Sequence, residues 1–422
     1  MVEIKEINAM EILDSRGSPT VFTEVMLSDG SVGAASVPSG ASRGKMEACE
    51  KRDNDSARYF GRGVLSAVKG IRDVIFPALV GMSPYEQDEV DSVMIALDGE
   101  YNKSNLGANA ILSVSLATAR AAATSLGLPL YRYLGGALVK KMPIPMMNVL
   151  NGGAHAGNNV EIQEFMLVPV GAESFSDAVR ISSEIYGVLK KLLKTQNLSS
   201  AVGDEGGFAP NLSSDEAAIE MLISAIKECG YSPESEVKIA LDAAAGEWYD
   251  GEKYYLKKRG KIYTGDELIN YFISLTERYP IISIEDPIAD GDLRCWERIS
   301  EKMSGRGVTL VGDDLFVTDS ERIKDGKKRK IASSVLIKPN QIGTLTEAYE
   351  AVAMAKDVGY KTIISHRSGE TEDTFIADFA VALSSDFVKM GAPARAERTC
   401  KYNRLMKIES EIFSPSYGFS EN

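Results

Sequence analysis

The stretch Ile281-Ile-Ser-Ile-Glu-Asp-Pro287 is an apolar, β-branched run that ends in two carboxylates and a proline. A run of this kind bounded by proline predicts a buried strand with an acidic carboxyl end. The same pattern recurs at 308–315, where the apolar run stops at Asp313, and at 237–242, where it stops at Asp242. Three successive strands are therefore predicted to deliver a carboxylate to the same edge of a sheet.

Two further strands end in basic side chains. The run 334–338 closes on Lys338 and the run 361–366 closes on His366, and helical patterns separate these strands. In a (β/α) barrel the residues that follow the strands meet at one mouth, where the active site lies. The pattern thus predicts an α/β protein whose functional site is built from strand ends.

The length of 422 residues exceeds the roughly 250 of a typical barrel by enough for a second domain. We expect an N-terminal α+β domain over 1–137 and a C-terminal barrel domain over 138–422. In the first, strand patterns at 2–13, 20–27 and 31–37 predict an antiparallel meander. Helical patterns follow at 63–76, 85–97 and 108–126.

Residues 38–44 are too rich in small side chains for a helix or a strand. A surface connection and a lid with glycine hinges are both consistent with this composition.

The barrel domain opens with two strand patterns, at 143–150 and 164–170, with too little chain between them for a crossover helix. These strands should therefore pair antiparallel. Two helical patterns follow at 176–194 and 214–228, and only then does strand alternate with helix. The order predicts a ββαα(βα)₆ barrel, a variant of the TIM barrel.

The formal charge of −13 argues against binding to nucleic acid or to acidic membranes, because both require concentrated Lys and Arg. The basic run 327–330 is better explained as a solvated helix face.

The four cysteines are widely spaced and are expected to be reduced thiols. The first residues lack the apolar segment of a signal peptide, so a cytoplasmic location is expected, with an additional cell-surface or secreted pool left open.

Asp242, Glu285 and Asp313 form the predicted metal site, because three adjacent carboxylates repel one another unless a cation neutralises them. Ligand sets made only of oxygen suit Mg²⁺ or Mn²⁺. A single acid at a strand end is explained equally well as a helix N-cap, so the prediction depends on the three occurring in succession.

Lys338 and Lys389 end apolar runs, where each is either a buried functional lysine or one whose ammonium reaches solvent. A lysine base requires a pKa lowered from about 10.4, which burial beside a divalent cation would achieve. The only two histidines, His155 and His366, follow predicted strands. Arg367 and the serine after it suit a phosphate group.

Motifs along nearly the whole chain resemble those of the enolase family. They are Asp14-Ser-Arg-Gly, Pro38-Ser-Gly-Ala-Ser42, Asn148-Val-Leu-Asn-Gly-Gly-Ala-His155, Gln163-Glu164-Phe-Met, Gly203-Asp-Glu205-Gly-Gly, Ser283-Ile-Glu285-Asp-Pro, Asp313-Asp-Leu, Lys338-Pro-Asn-Gln-Ile-Gly-Thr, Ser365-His366-Arg367-Ser368-Gly-Glu-Thr and Lys389-Met-Gly-Ala-Pro-Ala-Arg. The last two motifs at their mutual spacing are highly specific.

The resemblance implies a homodimer, with a higher oligomer left open, and the reversible dehydration of 2-phospho-D-glycerate to phosphoenolpyruvate in glycolysis and gluconeogenesis. It implies two Mg²⁺ per site, with Mn²⁺ as an alternative. Asp242, Glu285 and Asp313 would bind the first ion, and Ser42 would bind the second.

The resemblance also assigns catalytic and substrate-binding roles. Lys338 would remove the C2 proton, and Glu205, supported by Glu164, would protonate the departing hydroxyl. Nine residues, three of which already have a role above, would bind substrate or lie within the site: His155, Gln163, Glu164, Glu285, Asp313, His366, Arg367, Ser368 and Lys389. We expect Glu205 to stay protonated because Glu164 is close, since like charges raise one pKa.

Three positions depart from the family pattern. Arg43 replaces a threonine in the lid, and Met10 and Ser410 replace an Arg–Glu pair between subunits.

Two alternatives remain, namely a related superfamily enzyme acting as an acid-sugar dehydratase or racemase, and a scaffold or surface-receptor role. The intact catalytic set and the lack of a terminal lysine disfavour the second.

Overall fold

Three antiparallel strands begin the chain in the computed structural model, which describes residues 1–40, 44 and 46–418. They are β1 (Ile4–Leu13), β2 (Pro19–Leu27) and β3 (Val32–Ser36), paired in the order β1-β2-β3. The predicted meander is therefore confirmed, with ends that differ by one or two residues. Of the predicted lid, 38–44, residues 41–43 lie outside the described part of the chain.

Five helices follow the meander. They are α1 (Leu65–Gly70), α2 (Phe76–Leu79), α3 (Gln87–Asp98), α4 (Ala108–Ser125) and α5 (Leu130–Gly135). The single helix predicted over 63–76 is instead interrupted by a π-helical segment at Ile71–Ile75. Pro77, in the first turn of α2, explains the interruption, because proline has no N–H to donate to the preceding turn.

Helix α4 packs directly on the meander through small side chains. Fifteen of its 18 residues are buried, many of them Ala or Ser. Gly33 on β3 meets this helix so closely that an added Cβ would lie 2.1 Å from the backbone nitrogen of Ala121. The helix predicted at 108–126 is therefore confirmed, and small residues on both elements permit the contact.

Eight strands form a closed barrel in the order β10-β11-β12-β13-β4-β5-β6-β9. The strands are β4 (Ile144–Asn151), β5 (Glu164–Val168), β6 (Lys238–Asp242), β9 (Ile281–Glu285), β10 (Thr309–Gly312), β11 (Ser334–Ile337), β12 (Lys361–Ser365) and β13 (Phe387–Lys389), with a separate hairpin β7 (Tyr254–Leu256) and β8 (Lys261–Tyr263). Strand β5 is antiparallel to both β4 and β6, and the other barrel pairs are parallel.

Helices connect and surround these strands. They are α6 (Phe175–Thr195), α7 (Asp215–Glu228), α8 (Gly265–Arg278), α9 (Leu293–Met303), α10 (Ser320–Arg329), α11 (Pro339–Ile342), α12 (Leu345–Asp357), α13 (Phe375–Ala382) and α14 (Ala396–Glu411). Two consecutive helices follow β5, and each later strand is followed by a helix. The predicted ββαα(βα)₆ architecture is confirmed.

The inside of the barrel divides into an apolar floor and a polar mouth. The floor is a cluster of nine buried residues: Ile144, Met146, Met166, Val168, Ala240, Val311, Leu336, Ile363 and Phe387. Side chains two positions apart on a strand point to the same face. The residues two positions nearer the mouth therefore also face inward, and they are Asn148, Glu164, Asp242, Asp313, Lys338, Ser365 and Lys389. On β9, Glu285 is at the same level as its register partner Asp242.

Three simpler features of the described residues concern the basic run, the cysteines and the hydropathy of the helices. The basic run 327–330 is exposed at the end of α10. Cys49, Cys229, Cys295 and Cys400 carry free thiols. Within the described residues, no helix combines the length and the hydropathy needed to cross a membrane.

Candidate active site at the mouth of the barrel

One cavity at the polar mouth gathers most of the predicted site residues. Its lining includes His155, Gln163, Glu164, Glu205, Asp242, Asp313, Lys338, His366, Arg367, Ser368 and Lys389. Glu285 lies beside it, in contact with the ammonium of Lys389. Ser42 lies outside the described residues, so the structure gives it no position.

Lys389 is the central cation of the cavity. Its Nζ lies 2.9 Å from a carboxylate oxygen of Glu285 and 3.1 Å from oxygens of both Asp242 and Glu164. Burial acts to lower the pKa of Lys389, but Asp242 and the two glutamates outweigh it and raise this pKa well above its usual value. The ammonium is therefore charged and joins three strands of the barrel.

The predicted metal ligands occupy adjacent strand ends. Asp242 and Glu285 are direct register partners on β6 and β9, and Val311, two residues before Asp313, is the register partner of Glu285. All three carboxylates are buried, and burial together with Asp242 raises the pKa of Glu285 to about 8. The set offers only oxygen donors, which a hard divalent cation prefers, but it is not among the groups of described residues whose ligand atoms all lie within 4.8 Å of one another.

A second group of carboxylates adjoins these ligands. Oxygens of Asp286, Asp313 and Asp314 lie within 4.8 Å of one another, close enough to hold a metal ion. Asp286 accepts the backbone N–H groups of Asp313 (3.0 Å) and Asp314 (2.9 Å). Burial and the neighbouring Asp313 raise the pKa of Asp314 to about 7. Asp313 thus belongs to both acidic groups.

Lys338 follows β11 and pairs with Asp313. Gln341, on the next turn of chain, donates to the other oxygen of Asp313 at 2.9 Å. Burial acts to lower the pKa of Lys338, but Asp313 outweighs it, and the pKa is raised. In this arrangement the nearest carboxylate stabilises the ammonium, and the lowered pKa expected beside a divalent cation stays a prediction.

Glu164 and Glu205 form a coupled acid pair. Their oxygens and a nitrogen of His155 lie within 4.8 Å of one another, and His155 Nδ1 is 3.6 Å from Glu164 and 3.7 Å from Glu205. Burial and the charge of Glu205 raise the pKa of Glu164 well above its usual range. Burial also acts to raise the pKa of Glu205, but the rings of His155 and His366 lower it by more.

Of this pair, Glu164 therefore has the raised pKa, whereas we expected Glu205 to be the group that stays protonated. Asn148 explains part of the difference, because its amide donates to Glu205 Oε2 at 2.9 Å and favours the ionised form. His366 also faces Glu205, with 3.5 Å between Nε2 and Oε2. The like charges raise the pKa of one carboxyl group in the pair, and the neighbouring hydrogen-bond donors determine which carboxyl group this is.

Arg367 contacts a carboxylate that the sequence did not single out. Its Nη1 lies 2.9 Å from Glu47 Oε2, and both side chains are almost fully buried. Asn340 accepts a further hydrogen bond from Nη1 at 3.2 Å. Ser368, the next residue, also lines the cavity. An anion that binds Arg367 must therefore share it with Glu47 or displace that carboxylate.

Several buried polar atoms around the cavity have no hydrogen-bond partner among the described residues. They are Asn148 Oδ1, His155 Nδ1, Gln163 Oε1 and His366 Nε2. A buried polar atom without a partner costs about 1–3 kcal/mol. Their concentration at one place is typical of a site that pairs these atoms with a ligand.

The barrel order places the two proton-transfer candidates on opposite sides. Strand β11, which Lys338 directly follows, is four positions from β5 in the ring of eight, and β5 carries Glu164. Glu205 is held beside β5 and β4 by its contacts with His155 and Asn148. A small molecule bound at the centre would therefore face Lys338 on one side and Glu205 on the other.

Sequence reasoning missed several residues in or beside this site, among them Asn148, Glu47, Gln341 and Arg398, which contact predicted site residues. Asn148 could have been found from its inward register on β4, since it follows Met146 by two positions. Glu47, Gln341 and Arg398 have no comparable signal, because each contacts a predicted site residue from a loop or helix distant in sequence. Only the folded chain shows their contacts.

The closed barrel and the ionisable side chains at its mouth define a (β/α) barrel protein with an acid–base centre. Comparison with protein-family models then gives two matches. "Enolase, N-terminal domain" matches residues 4–134, and "Enolase, C-terminal TIM barrel domain" matches residues 139–418. Together the two matches span most of the chain, which therefore belongs to the enolase family.

Proposed function

We propose that this protein is a glycolytic and gluconeogenic hydro-lyase that interconverts 2-phospho-D-glycerate with phosphoenolpyruvate and water. The observation that carries the proposal is the placement of Lys338 and Glu205 on opposite sides of one cavity that also holds Lys389 and Arg367. Membership of the enolase family supports the same reaction. We also propose the boundary between the two domains at 137/138.

The proposed chemistry follows from the charges of the substrate. Lys338 takes the proton from C2, the electron pair of that bond forms the C2–C3 double bond, and the C3 hydroxyl leaves as water with a proton from Glu205. The intermediate concentrates negative charge on the substrate carboxylate, which Lys389 stabilises. Arg367 and Ser368 hold the phosphate, while His155, Gln163 and His366 complete the wall of the site.

Glu164 and Glu205 supply the acid as a pair. Their oxygens are close enough that the two carboxyl groups titrate together and share one proton. Glu164 holds this proton in the arrangement seen, and Glu205 would receive it when a substrate hydroxyl lies beside it. Glu164 therefore acts as the reservoir that keeps the acid loaded.

Divalent cations complete the proposed site. Asp242, Glu285 and Asp313 would hold one Mg²⁺, and Ser42 is proposed as a contact of a second, with Mn²⁺ as an alternative. When bound, the ions supply charge stabilisation of several kcal/mol at the substrate carboxylate and phosphate. A cation bound to Asp313 would also neutralise the negative charge that now faces Lys338.

We further propose that the protein is a homodimer. Met10 on β1 and Ser410 on α14 are both exposed, so neither position leaves a buried charge without a partner. A dimer of the family kind would therefore form without the Arg–Glu pair at these positions.

The proposed reaction is tested by following absorbance of the enol product after 2-phosphoglycerate and Mg²⁺ are added to the purified protein. We expect absorbance to grow, and a chelator to stop it. The same assay with unphosphorylated sugar acids tests the alternative of an acid-sugar dehydratase, for which those compounds would be substrates. Folded protein that turns over 2-phosphoglycerate in neither direction would refute the proposal.

Replacement of Glu47 by Gln is expected to lower the KM for 2-phosphoglycerate about fivefold. The carboxylate competes with phosphate for Arg367, and a charge-assisted hydrogen bond exceeds a neutral one by about 1 kcal/mol. Steady-state kinetics with saturating Mg²⁺ would measure the effect.

The matched control is Glu50→Gln, since Glu50 lies in the same segment but pairs with Arg52. Its KM should equal that of the parent. An increase in KM on Glu47→Gln would instead show that Glu47 itself contributes to substrate binding.

A further inference from the structure

Arg398, near the start of α14, has a fully buried guanidinium group beneath the cavity. Its Nη1 donates to His366 Nδ1 at 2.5 Å and to the carbonyl of Arg367 at 2.6 Å. Its Nη2 donates to the carbonyls of Ser368 at 2.5 Å and of Asp204 at 3.1 Å. One side chain therefore joins two loops that are distant in sequence.

These two loops carry the groups that the proposed reaction requires. The loop after β12 bears His366, Arg367 and Ser368, and the loop that contains Asp204 bears Glu205. The chain also makes room for the contact, since a Cβ on Gly391 would lie 2.7 Å from Arg398 Cδ and 2.9 Å from the carbonyl oxygen of Glu205.

The contact with Nδ1 determines the tautomer of His366. A guanidinium group only donates hydrogen bonds, so Nδ1 must accept one and the ring proton must be on Nε2. Nε2 lies 3.5 Å from Glu205 Oε2. Burial lowers the pKa of His366 to about 3, although Glu205 opposes this. The ring is therefore neutral, and its Nε2–H group lies near Glu205 without forming a hydrogen bond in this arrangement.

We propose that Arg398 is a positioning residue, which fixes His366 as the Nε2–H tautomer and holds the Glu205 loop in register with the Arg367-Ser368 loop. Arg398 does not line the substrate cavity, so it acts through these residues. The role of this register in turnover rests on the proposed dehydration, whereas the tautomer is a property of the folded protein alone.

The test uses Arg398→Met, which keeps the bulk of the side chain but has no donor, and Arg398→Lys, which keeps the charge without the planar fork. The chain has two histidines, so protein labelled with ¹⁵N-histidine shows two ring systems, and His155→Gln assigns them. The parent should show a neutral Nε2–H ring for His366 between about pH 6 and 8.

In Arg398→Met we expect a mixture of the two His366 tautomers, and in both variants a kcat at least about tenfold lower, since small displacements of catalytic groups cost up to about 10²-fold. Arg404→Lys is the matched control, because Arg404 lies on the same helix and pairs with Asp378 away from the cavity. It should keep the parent kcat and tautomer.

If Arg398→Met does not fold, the kcat and the His366 spectrum of Arg398→Lys decide. An unchanged Nε2–H signal together with the parent kcat in Arg398→Met would overturn the proposal. If Arg398→Met does not fold, the same result in Arg398→Lys would overturn it. A parent protein that shows the Nε2–H ring but no turnover would refute the proposed reaction and leave the tautomer assignment standing. A parent ring with its proton on Nδ1 would refute the assignment itself.

Discussion

Replacing Lys338 with Ala is expected to abolish both the exchange of the C2 proton with solvent deuterium and the dehydration itself. Lys338 is the proposed base, and the group next to it, Asp313, is a proposed metal ligand that cannot also accept this proton. A positioned general base contributes about 10²–10⁴-fold, so a loss of this size is expected in both rates. Proton NMR in deuterium oxide measures exchange, and absorbance measures dehydration.

The control for this variant is Lys324→Ala, which removes an exposed lysine that pairs with Glu321 on α10. It should leave both rates unchanged. Circular dichroism should show parent-like secondary structure for Lys338→Ala, because the buried strand β11 ends before this residue. Exchange at the parent rate in this variant would exclude Lys338 as the base.

The architecture could be predicted because it follows from local patterns. Apolar runs that stop at Glu285, Asp242 and Asp313 mark both the strands and their direction, and the period of two places each acid inward. The short link between β4 and β5 permits only an antiparallel pair. Bounds shift by one or two residues where the chain leaves the sheet. The interruption before Pro77 is the main local feature that the helical period concealed.

The contacts inside the cavity could not be predicted, because they join residues that are far apart in sequence. The sequence indicates that Lys389 ends a strand, but only barrel closure shows that its ammonium bridges Asp242 and Glu285. Which carboxyl group of the acid pair has the higher pKa depends on Asn148 and the two histidines, and an argument from like charges alone does not include these residues. The raised pKa of Lys338 likewise follows from one contact, with Asp313. The roles assigned to these residues stay predictions.

Replacing Glu205 with Gln is expected to block loss of the C3 hydroxyl while sparing part of the C2 exchange. Gln keeps the shape and accepts the hydrogen bond from Asn148, but it carries no acidic proton, so dehydration should fall by about 10²–10⁴-fold. Lys338 lies on the opposite side of the barrel and keeps its access to C2. The intermediate can then form and be reprotonated, which makes the reaction stepwise.

The matched control is Glu161→Gln, a buried carboxylate on the segment before Gln163 that accepts from the backbone N–H of Arg259. It should retain both activities, since its side chain does not line the cavity. If Glu205→Gln loses exchange entirely while Lys338→Ala exchanges at the parent rate, the base and the acid are reversed. If Glu205→Gln loses exchange and dehydration to the same extent as Lys338→Ala, the two proton transfers occur together, because neither can then proceed without the other.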